Sequence, residues 1–269
     1  MAKTVMVTSL KGGVGKSTVA AGISTALALS GKRVLSLDFD FDVRSLELIM
    51  GVESKTVFNS LDVLEGRCPL GRAVVTHERV GGLYLLAAPS LSCSEASRLD
   101  FKKLFCQLND FVDDGKELDY IIIDAQAKDE DVILAVSPYC DTVLVPCSHS
   151  PASERAAELT GERLSRVGAK EIKLVVNGFD AEGVLRSDRV GVAELIDSTR
   201  LMLLGVVPYD SELELLEEKG ELVDVLPKSS NTRRAFANIA VRLDGGQVPL
   251  FDGFSGSLYK KVLQIKMGY

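Results

Sequence analysis

The chain has 269 residues, 46% of them hydrophobic, and a formal net charge of −7 at pH 7. That length suits one large α/β domain or two small ones with a sizeable core, and the acidic balance argues against bulk nucleic-acid binding, leaving DNA no part unless through a local basic patch. Five cysteines (Cys68, Cys93, Cys106, Cys140, Cys147) are odd in number and form no C-x-x-C pair. With no secretory leader they read as reduced thiols in a cytoplasmic protein, and no apolar run is long enough to span a bilayer, so any membrane contact is expected to be peripheral.

The first apolar, β-branched run, Thr4 to Thr8, reads as a buried strand. It leads through Lys11-Gly12-Gly13-Val14-Gly15-Lys16-Ser17-Thr18 into an Ala-rich helical pattern over 19–29. Strand, glycine loop and helix together make a phosphate cradle. The glycines let successive N–H groups turn inward, and the new helix adds its unpaired N–H groups and the positive end of its dipole. Lys16 supplies a point charge for the β- and γ-phosphates, and Ser17 a hydroxyl oxygen suited to Mg²⁺. The plainer alternative is a Gly-rich turn.

Six further strands are expected at 33–37, 83–87, 120–123, 142–145, 172–176 and 203–207. Helical patterns lie between them, for example over 96–112, 151–167 and 232–243. Continuous apolar strands separated by helices predict an α/β fold, a mostly parallel, doubly wound sheet with helices on both faces. Ligands bind such sheets at the carboxyl ends of the strands. The glycine loop, Asp38, Asp124, Asn177 and Pro208 all fall there. Asp38 and Asp40 share one face if the backbone stays extended. Beside a nucleotide, one carboxylate can help hold hydrated Mg²⁺ and the other orient the attacking water; alternatively both simply cap the strand and face solvent. Asp124 suits a magnesium ligand acting through water, or again a strand cap. His77 and His149 lack a paired ligand pattern and are expected in surface or loop roles.

Lys11, ahead of the first glycine, narrows the reading. The string K-G-G-V-G-K-S-T resembles the deviant phosphate loop of the MinD/ParA family of dimerising ATPases. Leu37-Asp38-Phe39-Asp40 followed by Arg44-Ser45-Leu46-Glu47-Leu48-Ile49-Met50-Gly51 is similar to the family's MinD branch in particular. The resemblance implies a P-loop NTPase fold of the SIMIBI type, ATP and Mg²⁺ as cofactors, and a homodimer with nucleotide sandwiched between the subunits. It implies that Lys11 reaches the partner's phosphates, that Asp40 positions water and that Asp38 lies near the metal. Asn177 would hold adenine by its side-chain amide and the Pro208-Tyr209 loop largely by backbone. The chain departs from the pattern at Asp42-Val43, and again after Asp124, where Gln126 and Lys128 stand in place of the family's Pro and Gly.

The last stretch, 254–269, carries three lysines (Lys260, Lys261, Lys266) and no acid. At helical spacing Phe254, Leu258, Val262 and Ile265 form an apolar stripe with Lys260 and Lys261 opposite, a pattern that can lie in the headgroups of an anionic membrane or, alternatively, dock as a terminal helix on the chain's own core. The expected division is a P-loop ATPase domain over 1–243, a linker over 244–253 and a membrane-targeting helix over 254–269. MinD proteins end comparably. The resemblance therefore implies an ATPase cycling between cytoplasm and the inner face of the cell membrane that places the division septum, with a division inhibitor and an activator as partners. The rivals are a ParA-like partition or flagellar-placement ATPase and an ATP-binding scaffold that barely hydrolyses.

Overall fold

The computed structural model describes residues 1–126, 130–186 and 188–249; the expected membrane-targeting helix at 254–269 lies outside them, as does Lys128. Ten strands occur in chain order: β1 (Lys3–Val7), β2 (Val34–Phe39), β3 (Val75–Thr76), β4 (Leu83–Leu86), β5 (Val112–Asp113), β6 (Lys116–Glu117), β7 (Tyr120–Ala125), β8 (Thr142–Cys147), β9 (Ile172–Phe179) and β10 (Met202–Pro208). Eight of them form one sheet in the order β10-β9-β8-β1-β7-β2-β4-β3. Every pairing in it is parallel except that of the two-residue edge strand β3 with β4. All seven expected strands are present. The edge strand β3 and the small β5–β6 hairpin were not expected, being too short to carry a period.

Along the central strands every residue is buried, and successive side chains face opposite layers. Met6, Leu37, Ile121, Ile123, Val145 and Val176 face one apolar layer, closed by the helices Phe101–Asn109, Pro151–Arg166 and Val192–Thr199. Val5, Val7, Ile122, Leu144, Val175 and Val207 face the other, closed by Lys16–Leu29, Ser211–Glu218 and Asn231–Leu243. Two covered faces explain why the central strands read as unbroken apolar runs. The second layer is tight: a β-carbon on Gly22 would stand 2.4 Å from the Phe236 ring, so only glycine lets these two helices approach this closely.

The expected helix over 96–112 is shorter, Phe101–Asn109, with Asp100 capping it through the Lys103 N–H. The start of the expected linker folds back on the domain. Asp244 accepts from the Tyr120 hydroxyl at 2.7 Å and pairs with Lys32, while the Val248 and Pro249 carbonyls accept from Arg242 and Asn238.

Sheet register brings the functional strand ends level. Val7 and Asp38 both pair with Asp124, so the last residue of β1, the end of β2 and the end of β7 form one rim. The glycine loop rises from that rim.

Candidate nucleotide site

The loop from Ser9 to Gly15 curls as its composition requires. Gly13 (φ 72°) and Gly15 (φ 82°) are in the left-handed region, where a side chain would be strained. A β-carbon on Gly15 would also lie 2.0 Å from the Asn177 amide nitrogen, so a side chain there would fill the cradle. The following helix, Lys16–Leu29, has no side-chain cap, which leaves the N–H groups of its first turn facing the loop. Lys16 is largely buried. Burial lowers its pKa, the Asp124 and Asp40 carboxylates oppose that, and Lys11 adds to the lowering. Among the described residues its ammonium makes one long hydrogen bond, 3.4 Å to the Lys11 carbonyl. The Lys11 ammonium likewise has one hydrogen bond among the described residues, to the Gly12 carbonyl at 3.5 Å.

Beneath the loop lies a cavity of about 620 Å³ lined by Gly12, Gly13, Gly15, Lys16, Ser17 and Thr18, and across from them by Asp40, Ser45, Asp124 and Gln126. Asp124 is fully buried. Among the described residues neither of its carboxylate oxygens has a hydrogen-bond partner, and burial pushes its pKa up, only partly offset by the nearby Ser17 hydroxyl and the Lys16 ammonium. The Ser17 hydroxyl is near but engaged at 3.0 Å with Ser45 Oγ. A buried acid with two unused acceptors, a hydroxyl and a lysine form a donor set that fits a hydrated magnesium and phosphate oxygens. A larger hollow of about 760 Å³ adjoins it and shares Ile49. Its charged walls are four glutamates and Lys219, the wrong sign for phosphate.

Asp38 and Asp40 do not share a task. β2 ends at Phe39, and the backbone turns there. Asp38, fully buried, does not line the cavity; its two oxygens accept from the N–H groups of Asp40 (2.7 Å) and Leu46 (3.2 Å). Burial and the facing Asp124 push its pKa well up, against the pull of those two bonds. Asp40 lines the cavity, but Oδ1 accepts from Asp42 and Val43 N–H and Oδ2 from the Ser45 hydroxyl. Ser45 thus links Ser17 to Asp40. No sequence rule drew attention to it, because a serine opening a short helix reads as an ordinary helix start.

A second cavity of about 350 Å³ opens on the other side of Gly13, Gly15 and Thr18, lined by Asn177, Gly178, Pro208 and Tyr209. The Asn177 amide donates to the Val14 carbonyl at 3.1 Å and so braces the glycine loop, while Tyr209 is largely exposed with its hydroxyl 3.3 Å from Glu214. Thr18 gives its hydroxyl to Glu217 at 2.9 Å. Burial raises the Glu217 carboxyl to about 7. Glu217 went unnoticed in the sequence because one acid in the run Glu212 to Glu221 carries no pattern.

Both histidines are loop residues, as expected, yet neither is on the surface: each is 7% exposed. His149 accepts the Asp180 N–H at Nε2 (3.0 Å) and its Nδ1 meets the Val190 carbonyl at 2.8 Å, stapling the loop beside the second cavity. His77 accepts the Val80 N–H. Burial lowers both pKa values below the ordinary value. The unfolded chain therefore binds these protons first, and stability contributed by the neutral rings is complete above pH ~6.5 and lost as pH falls below it. Melting temperature measured from pH 7.5 to 5 should fall on the acid side, and His149→Gln should flatten that slope; an unchanged slope would contradict the staple.

An uncapped helix N-terminus, a left-handed glycine loop and a buried lysine at the carboxyl end of a parallel sheet define a phosphate-loop nucleotide-binding protein. Residues 5–223 match the CobQ/CobB/MinD/ParA nucleotide binding domain. The chain is similar to the septum site-determining protein MinD of Synechocystis (34% identical, over 94% of this chain and 93% of that one) and of Bacillus subtilis (33%, over 93% and 92%). It superposes on MinD in the MinC:MinD cell division complex of Aquifex aeolicus with a TM-score of 0.82, at 31% identity, over 93% of this chain and 99% of that one. The chain belongs to the MinD/ParA family of phosphate-loop ATPases. Among the described residues no helix is long and apolar enough to cross a membrane.

Proposed function

We propose that this chain binds Mg·ATP at the glycine loop, dimerises around it, associates reversibly with the inner face of the cell membrane through residues 254–269, and helps place the division septum. The observation that carries the proposal is the buried Asp124 carboxylate, with both oxygens unused, facing Ser17 and Lys16 in a glycine-lined cavity. Similarity to septum site-determining MinD proteins supports the biological role, and the Aquifex relative solved with MinC supports a division inhibitor as partner.

In this reading the amides of Gly12 to Lys16 and the helix start hold the phosphates, joined by Thr18, and Lys16 neutralises the β- and γ-phosphate charge. Ser17 binds magnesium directly, Asp124 acts on it through water, and Asp38 lies behind them, shaping the loop that carries Asp40. Bound magnesium supplies charge neutralisation of the terminal phosphates. Asp40 orients the attacking water. Lys11, partly exposed and with one hydrogen bond from its ammonium among the described residues, to the Gly12 carbonyl, is free to reach a partner's phosphates. Asn177, Pro208 and Tyr209 enclose the base. A single basic tail binds weakly, at about 1 kcal/mol per lysine, and two tails in an ATP dimer bind far more tightly through effective concentration.

Co-sedimentation with anionic vesicles tests the cycle. The intact chain should pellet with Mg·ATP and not with ADP. Removal of residues 254–269 should abolish pelleting while ATP affinity stays within about twofold. Pelleting that survives the deletion would refute the tail's role. ATP-dependent DNA binding that survives it would favour the partition ATPase.

A further inference from the structure

Gln126 stands one residue beyond β7, where it lines the phosphate cavity together with Lys16, Ser17, Asp40 and Asp124. Its side-chain oxygen Oε1 is buried and, among the described residues, has no hydrogen-bond partner. A buried amide oxygen without a donor costs roughly 1–3 kcal/mol, so its persistence in a polar cavity points to a partner that arrives with the ligand. The acid expected to hold the attacking water is differently placed. Asp40 already accepts three hydrogen bonds, from Asp42 and Val43 N–H and from the Ser45 hydroxyl. Oδ1 of Asp40 is filled and one lone pair remains on Oδ2, whereas both lone pairs of Gln126 Oε1 are unspent. Asp124 also has unused oxygens, but it sits deeper, fully buried beside Ser17 and Lys16, where a hydrated metal belongs.

We infer that Gln126 is a catalytic residue of this ATPase, whose Oε1 accepts a hydrogen bond from the attacking water and whose Nε2 donates to a γ-phosphate oxygen only as the transition state forms. The inference rests on the nucleotide-hydrolysing reading of the site and deepens it. A side-chain amide suits this task because it offers one acceptor and two donors on one plane and adds no charge beside the phosphate. In the step it serves, the water oxygen forms a bond to the γ-phosphorus as the bond from that phosphorus to the β,γ-bridging oxygen breaks. The electron pair of the broken bond stays on ADP, and one water proton passes to a phosphate oxygen, giving ADP and inorganic phosphate. Gln126 positions the water without taking its proton. Asp40 orients the same water from the opposite wall through the remaining lone pair of its Oδ2, while its other acceptor sites order its own loop.

The test is single-turnover hydrolysis of Mg·ATP by the full chain with anionic vesicles present, paired with affinity for the slowly hydrolysed analogue ATPγS. Gln126→Met keeps the side chain's length and removes both the acceptor and the donor; Gln126→Ala is the second variant, should the first pack badly. Both should hydrolyse at a rate 10- to 100-fold below the wild type, with ATPγS affinity within about twofold. A wild-type rate in both variants would overturn the role of Gln126 and leave the ATPase reading standing. A parallel loss of affinity and rate would overturn it too, since that marks a residue that merely supports binding. Absence of hydrolysis in the wild type itself would overturn the hydrolytic reading and this inference with it.

Discussion

Lys16→Ala is expected to lower affinity for Mg·ATP at least ~100-fold, about 3 kcal/mol, measured by calorimetry. The size of the effect follows from what surrounds the ammonium. Lys16 is largely buried, makes one long hydrogen bond among the described residues, and faces Asp124 and Asp40 across the cavity. Its charge is the principal positive one among groups that carry Asp38, Asp40 and Asp124. Without it, a triphosphate would enter a pocket of net negative sign, and magnesium alone would have to offset the repulsion. Lys11→Ala gives the contrast. Among the described residues that ammonium has one hydrogen bond, to the neighbouring carbonyl of Gly12, so its loss should leave affinity within a few-fold.

The second large effect is on stability. Asp38→Ala should lower the melting temperature by about 5–10 °C, corresponding to roughly 2–4 kcal/mol for a chain of this size. Asp38 is fully buried and ties the N–H groups of Asp40 and Leu46, six residues apart, to the end of β2. Alanine strands both donors in a site closed to water. Part of the loss is offset, because removing a buried acid also relieves its repulsion with Asp124. Asp38→Asn keeps one acceptor and the shape of the side chain, and should restore about half of the drop. Thermal denaturation of the three proteins at pH 7.5 checks this. Equal melting temperatures would mean that the loop from Asp40 to Leu46 is held by its packing alone.

The parts of the molecule legible in the sequence are those with a period or a fixed spacing. The central strands, buried on both faces, announce themselves as runs such as Tyr120-Ile121-Ile122-Ile123, and their carboxyl ends come out on one rim with the glycine loop. The loop's own conformation is legible because glycine is needed at φ 82° and no other residue would fit beside Asn177. What the sequence conceals is which lone pairs are spent. Asp38 and Asp40 look equivalent on paper, yet one is a buried tie for its own loop and the other a cavity wall. Ser45 and Glu217 enter the site through contacts across the fold, 28 residues from Ser17 to Ser45 and 199 from Thr18 to Glu217, which no local pattern encodes; Gln126 stands out in the sequence as a departure just after Asp124, but its unspent oxygen does not. The histidines mislead for the same reason. A lone histidine in a polar loop gives no sign that the loop folds over it, as the loops at His77 and His149 do.

The wild-type arm of the calorimetry is the most direct test of all. Titrating Mg·ATP into the purified chain should give saturable binding in the micromolar range, weakened when magnesium is withheld, as a site built on Lys16, Ser17 and an unspent Asp124 requires. No detectable binding at millimolar Mg·ATP would contradict the assignment of the glycine loop, and with it the dimer and the membrane cycle that depend on a bound triphosphate.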